Sequence, residues 1–285
     1  MKQLLFFIYT FALVLILSSC EKKVNIQIAY DGDKLVMNTF MQPDSLIYVR
    51  VTRSVPVSVY DESAFKEETA AQVSIAASDG ATLPTTLQTS AGRKYFVSPL
   101  PAKAGLQYQI TAASAGLETV AAKDTLPPAP QAREGYAQKN STRIKFILND
   151  RPGLGDYYRL RVFTVESGAP QKALLFRLDP AFNNNLIDII SNGNSTSLVM
   201  DDSRFDGREL TFVLQTEAPL TQTDSLMVEV TALTRNAWSY LRTVALQQGN
   251  AGVIVSEPVR VFSNVKNGYG IVAGINTKRL IFKVD

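Results

Sequence analysis

Short runs of alternating apolar and polar residues, separated by turn residues, constrain this chain more than any other feature. At 47–52, Ile47, Val49 and Val51 point one way and Tyr48, Arg50 and Thr52 the other. A period of two is the mark of a half-buried strand, because successive side chains leave opposite faces of a pleated backbone. Similar runs occupy 24–30, 34–41, 71–77, 82–88, 93–98, 106–113 and 117–123. Between them lie Asp31-Gly32-Asp33, Asp79-Gly80, Ala91-Gly92, the stretch 99–105 and Ala115-Gly116, all turn chemistry. Eight short strands without a convincing helix predict an immunoglobulin-like β-sandwich over residues 20–126.

A chain of 285 residues exceeds the roughly 100–200 typical of one domain, so a second unit is expected. The break falls at 127–132, where Pro127, Pro128 and Pro130 can neither continue a helix nor donate to a central strand. This reads as a stiff linker. Residues 133–285 then form a second, β-rich domain. Its strand patterns are 143–149, 157–165, 172–178, 209–217, 225–233, 271–275 and 279–284. Two segments look helical: 180–190, and 236–248 with Trp238, Leu241 and Ala245 on one face and Gly249 placed to stop it.

Composition removes whole classes of chemistry. The chain has no histidine and one cysteine, which excludes Ser-His-Asp hydrolysis, Cys-His proteolysis, histidine-ligated zinc and any internal disulfide. Hydrophobic residues make up 46% and charged residues 19%, enough apolar material for packed cores. A formal net charge of +3, spread thinly, gives no footprint for nucleic acid.

The single cysteine has a specific context. Lys2 precedes an apolar run from Leu4 to Leu17, which ends in Leu17-Ser18-Ser19-Cys20. The run is shorter than the about 20 residues a spanning helix needs, and its flanks are those of a cleaved export signal. Residues 1–19 are therefore expected to be a lipoprotein signal peptide, cut between Ser19 and Cys20. By resemblance to bacterial lipoproteins, the Cys20 thiol and the new amino terminus would carry acyl chains, and several chains anchor stably where one is marginal. Glu21, Lys22 and Lys23 follow, a start of mixed charge.

Several segments taken together resemble a known family. They are the stretch 200–207 (Met-Asp-Asp-Ser-Arg-Phe-Asp-Gly), Trp238-Ser239-Tyr240-Leu241, and the run 257–265 leading to Gly268-Tyr269-Gly270-Ile271. Cys20-Glu21-Lys22, Leu35-Val36, Val51-Thr52-Arg53-Ser54 and Asp79-Gly80 fit in the same order. The chain resembles the Bacteroidetes lipoprotein family named for domain of unknown function 4249 over essentially its whole mature length. The resemblance implies an exported protein of two β domains, encoded near TonB-dependent outer-membrane receptors. It implies no reaction. Tyr269 departs from the pattern, since members usually place a pair of glycines before the Gly-Ile step.

Candidate sites have plain alternatives beside them. Asp201, Asp202 and Asp206 before Gly207 suggest oxygen ligands for calcium, but the spacing is not that of an EF-hand loop, and a solvated turn is the favoured reading. Asp202 or Asp206 with Glu257 is the one carboxylate pairing that could support glycoside hydrolysis, which requires separations of about 5–5.5 Å or 6.5–9.5 Å. Aromatic faces are the third candidate, because sugars and peptides stack on them in shallow β-domain grooves. Tyr157, Tyr240 and Tyr269 are the residues singled out, against the reading that strand aromatics are mostly packing. The sequence thus predicts a lipid-anchored outer-membrane binding or accessory module with no catalytic residues and no cofactor, serving a TonB-dependent uptake system. A carbohydrate-active hydrolase and a structural surface protein are the alternatives.

Overall fold

The computed structural model describes residues 30, 32–56, 59, 65–153, 155–183, 193–250 (backbone only at 248–250) and 259–285. Ser19, Cys20, the whole 1–19 leader, Glu257, almost all of the 24–30 run and the second half of the 180–190 segment lie outside them.

In chain order the strands are β1 (Leu35–Met41), β2 (Leu46–Arg53), β3 (Gln72–Ala77), β4 (Thr82–Pro84), β5 (Thr86–Ser90), β6 (Arg93–Pro101), β7 (Gln107–Ala113) and β8 (Val120–Thr125). There follow β9 (Gln131–Ala137), β10 (Arg143–Asn149), β11 (Tyr157–Glu166), β12 (Ala169–Ala173), β13 (Phe176–Leu178), β14 (Leu198–Asp201), β15 (Glu209–Thr216), β16 (Ser225–Leu233) and β17 (Tyr269–Lys283). Among the described residues the helices are a single turn, α1 (Pro180–Asn183), and a longer one, α2 (Arg235–Asn250). The protein is mainly β and built as sandwiches.

One large sheet runs through the molecule in the order β12-β11-β16-β17-β1-β2-β6-β5, with β14 also on β11. A sheet β4-β3-β7-β8 belongs to the first sandwich and a sheet β13-β15-β10-β9 to the second. The first core joins Met37, Ile47, Val49 and Val51 of the large sheet to Ile75, Tyr108, Ile110 and Val120 of the small one. The second joins Leu160, Val162, Val228 and Val230 to Ile144, Phe146, Phe212 and Leu214. Phe146 and Phe212 face each other in register and stack at 5.3 Å. Each such buried side chain contributes about 1.5–3 kcal/mol, so alternation in the sequence translates directly into two packed interiors.

β17 ties these halves together. Its first part, from Tyr269 to Gly274, pairs in parallel with β1; its second, from Ile275 to Lys283, pairs antiparallel with β16. Val265 and Val272 consequently pack in the first core. The prolines at 127–130 do separate β8 from β9, but the two units are not serial in the chain, because one late strand is shared by both. Residues 131 and 132, expected in the linker, already belong to β9.

The close approach at this seam depends on glycine. Gly274 lies against β8 so tightly that a Cβ would fall 1.7 Å from the Thr125 carbonyl oxygen. Gly270 has φ +108°, and a Cβ there would meet the Met37 carbonyl at 2.2 Å. Glycine beside Tyr269 thus serves backbone contact with β1.

Asp124 closes the seam from the other side. Its carboxylate accepts the Gly274 N–H at 3.0 Å, the Thr125 N–H at 2.9 Å and the Thr234 hydroxyl, while Asn276 Nδ2 donates to the Pro127 carbonyl at 3.0 Å. Burial pushes the Asp124 carboxyl above its ordinary value, against the pull of these donors. Thr234 also caps α2, its hydroxyl accepting the Ala237 N–H at 3.3 Å.

Candidate functional site

The outer face of the large sheet collects the aromatic residues. α2 lies across it where the two units meet, and Ala237, Trp238 and Leu241 pack with Leu233, Ile271 and Ala273. The helix continues to Asn250, past Gly249. Tyr157 packs against Trp238 at 4.8 Å between ring centroids, and the Arg242 guanidinium lies 5.0 Å over the same indole. Trp238 is thus a packing residue, although its buried Nε1 has no hydrogen-bond partner.

From the helix a row of rings extends over the first unit. Tyr240 meets Phe40 of β1 edge-on at 6.0 Å, and Tyr48 of β2 meets Tyr95 of β6 edge-on at 5.9 Å. Asn38 and Arg50 face each other in the β1–β2 register, so Phe40 and Tyr48, two residues further toward the turn, share their face. Phe40 is 40% and Tyr48 41% exposed, high for rings this size. Polar groups adjoin them. Asn38 Oδ1 accepts the Ile271 N–H at 3.2 Å, Arg50 lies 3.6 Å from Glu67, and Gln88 sits opposite Tyr95. Ring faces and edges beside amide and guanidinium groups are suited to contact with a ligand that has both apolar faces and hydroxyl or amide edges.

Of the three tyrosines singled out in the sequence, Tyr157 and Tyr240 fall on the two flanks of α2, both half-buried. Tyr269 sits apart from them at the start of β17, 39% exposed, with Lys34 Nζ 5.5 Å above its ring. Phe40, Tyr48 and Tyr95 were not singled out. The signal was present in the alternation of β2, which turns Tyr48 away from the core-facing Ile47 and Val49.

The acidic segment folds at one end of the second sandwich. The carboxylates that converge are Asp150, Asp202 and Asp206, with oxygens within 4.8 Å of one another. Asp201 is not among them; it accepts hydrogen bonds from the backbone N–H and hydroxyl of Ser203. Phe205 holds the loop down, buried against Tyr158 and Phe212 at 6.2 and 5.8 Å. Asp150 accepts the Tyr158 hydroxyl at 2.6 Å and the Gly207 N–H at 2.9 Å. Asp202, 2% exposed, accepts the N–H groups of Gly155 and Asp156, and Asp206 that of Gly153 at 2.7 Å.

Hydrogens therefore point at five of the six carboxylate oxygens. These hydrogen bonds clamp the segment after Asp150 to the segment around Asp202, and each carboxylate oxygen keeps a further lone pair that could face a cation. Burial, together with the neighbouring Asp156 and Asp202, raises the Asp150 carboxyl, while its two donors oppose the rise. Asp202 is buried, and both its oxygens accept backbone N–H groups. Its distance to Glu257 lies outside the described residues.

Among the described residues, no helix is long and apolar enough to cross a membrane. No curated protein sequence matches the chain. One solved structure, described as the complete structure of manganese lipoxygenase of Gaeumannomyces graminis and partial structure of zonadhesin of Komagataella pastoris, aligns with 71% of this chain and 90% of its own. Identity is 8% and the TM-score 0.20, a likeness too low to carry an argument. The family model described as "Domain of unknown function (DUF4249)" matches residues 21–281, covering every strand up to most of β17. The chain belongs to that family.

Proposed function

We propose that this protein is a non-enzymatic binding module, held at the outer membrane by acyl chains on Cys20, which presents the aromatic face of its shared sheet to a ligand or partner of a TonB-dependent uptake system. The observation that carries the binding reading is the pair of exposed rings Phe40 and Tyr48, flanked by the half-buried Tyr240 on α2 and Tyr95 on β6. Solvated aromatic side chains cost free energy that burial recovers, and here two of them, Phe40 and Tyr48, stand on strands backed by the first core. The anchor is supported by Leu17-Ser18-Ser19-Cys20 at the end of the apolar run, and the uptake partner by the resemblance described above.

The test is affinity capture of the tagged full-length protein from gently solubilised outer membranes, beside a Phe40→Ala/Tyr48→Ala double variant. A TonB-dependent receptor retained by the parent protein and lost from the variant is the expected result. Equal retention by both would remove the aromatic face from the interaction, and absence of any receptor would remove the uptake role. Cys20→Ser, fractionated in parallel, should leave the membrane pellet.

A further inference from the structure

A second feature of the large sheet lies away from the aromatic row. On the outer face of the second unit, β11, β16 and β17 gather three arginines about one acid. Glu229, in the middle of β16, is 3% exposed. Arg161 stands opposite it on β11 and Arg279 opposite it on β17. Arg161 Nε donates to Glu229 Oε1 at 2.8 Å and its terminal nitrogen donates to the same atom; Arg279 Nε reaches Oε2 at 3.3 Å. These two guanidinium groups satisfy the carboxylate from both sides.

Arg159 is the surplus. It lies two residues along β11 from Arg161, on the same face, between Val199 of β14 and Thr231 of β16. The Thr231 hydroxyl is engaged with Thr277 at 3.1 Å. The closest approach of the Arg159 guanidinium to Glu229 is 3.9 Å, too long for a hydrogen bond. Its side chain is only 18% exposed, and its buried Nε has no hydrogen-bond partner. Burial, with the nearby Arg161 charge, lowers its pKa to about 10, so it stays cationic at neutral pH in a place that disfavours the charge. Three guanidinium groups around one carboxylate leave an excess of two positive charges. Arg161 and Arg279 keep open sides, their side chains 36% and 61% exposed, and the Phe163 ring lies 5.1 Å from the Arg161 guanidinium.

We propose that Arg159, Arg161 and Arg279 form a binding site for a phosphate monoester group, whose oxygens take the guanidinium donors that Glu229 leaves free. The charge matches, since a phosphate monoester carries close to two negative charges at neutral pH. The geometry matches as well, because a planar guanidinium fork donates to two oxygens of one phosphate. Glu229 then acts as the positioning residue, holding Arg161 and Arg279 apart so that a phosphate can lie over the pair beside Arg159. The site is independent of the aromatic row and stands or falls separately from it.

The chemistry is shared by a free phosphate and by a phospholipid headgroup, and the experiment separates them. The full-length protein in neutral detergent is titrated with inorganic phosphate, followed by calorimetry and thermal melting, with chloride at matched ionic strength as the control. Flotation with phosphatidic acid vesicles, against phosphatidylcholine vesicles, forms the second arm. Both are repeated with Arg159→Gln and with Arg279→Gln, the latter at a more solvated side chain whose loss leaves the Arg161–Glu229 pair in place. Saturable phosphate binding above the chloride control, weakened at least tenfold in either folded variant, is the expected result for a soluble ligand. Arginine-dependent binding to phosphatidic acid vesicles alone assigns the same site to a headgroup. A response no greater than chloride with no vesicle preference, or responses unchanged in both variants, overturns the proposal.

Discussion

Replacing Asp124 by alanine should loosen the seam between the sandwiches, and the cost can be worked from the groups it strands. The Gly274 N–H is buried at the point where β17 passes from one partner strand to the other, and Asp124 is its acceptor. Leaving a buried donor unpaired costs about 1–3 kcal/mol. Thr234 loses a charged acceptor at the start of α2, a further contribution of about 1.5 kcal/mol, while Thr125 is exposed and can turn to water. Against this, alanine removes a carboxylate whose burial is itself unfavourable, which is why its pKa lies above 3.8. The net expectation is a loss of about 2–4 kcal/mol.

Urea denaturation reads this directly. The chain has one tryptophan, Trp238, which sits on α2 beside the seam, so its fluorescence reports the junction while circular dichroism reports both sheets. The two signals should coincide in the parent protein and separate in the variant. The pH dependence has a definite sign. A carboxyl whose pKa is raised by folding contributes stability that is fully present below its unfolded value and is lost as pH rises through its folded value. The gap between parent and Asp124→Ala should therefore widen as pH falls from neutrality through the folded pKa toward 3.8. A deficit under about 0.5 kcal/mol, the scale of an inconsequential surface change, or a gap that narrows on acidification, would refute the reasoning.

Two further substitutions probe the same framework. Gly274→Ala should cost at least about 3 kcal/mol, at the upper end of overpacking effects, because the added methyl meets backbone that cannot rotate away; the urea midpoint measures it. Glu229→Ala should cost about 3 kcal/mol, near the lower end for breaking a buried ion pair, since Arg279 can turn to solvent; thermal melting at low and high salt checks it, and added salt should recover part of the loss by screening the stranded arginines.

Strands were legible where an alternating or continuous apolar run lay between turn residues. β10 and β16 have the bounds the sequence predicts, Arg143–Asn149 and Ser225–Leu233. β9 was missed because Glu134, at φ 59°, and a shift of register break its alternation. β14 was missed because it has four residues. The run 82–88, read as one strand, divides at Thr85: β4 joins the small sheet and β5 the large one, which no local pattern encodes. β17 read as two runs because residues near 276–278 are polar, though it is continuous. The candidate surfaces were less legible for a related reason. Phe40, Tyr48, Tyr95 and Tyr240 are brought together by pairings across some two hundred residues, and Asp150 joins Asp202 from a loop about fifty residues away. Glu229 was hidden in a strand buried on both faces, where alternation gives no inward or outward cue.

The sharing of β17 also sets the order in which the molecule can be completed. It lies later in the chain than every other strand, yet it occupies the middle of the large sheet. Until it arrives, β1 and β16 each present an unpaired edge, and neither sandwich has its full complement of hydrogen bonds. The nascent chain is thus held short of its native state until residues 269–283 have been made, with two sticky borders waiting for one segment. Premature termination before residue 269 should yield a product that aggregates through those borders and retains no independently stable half.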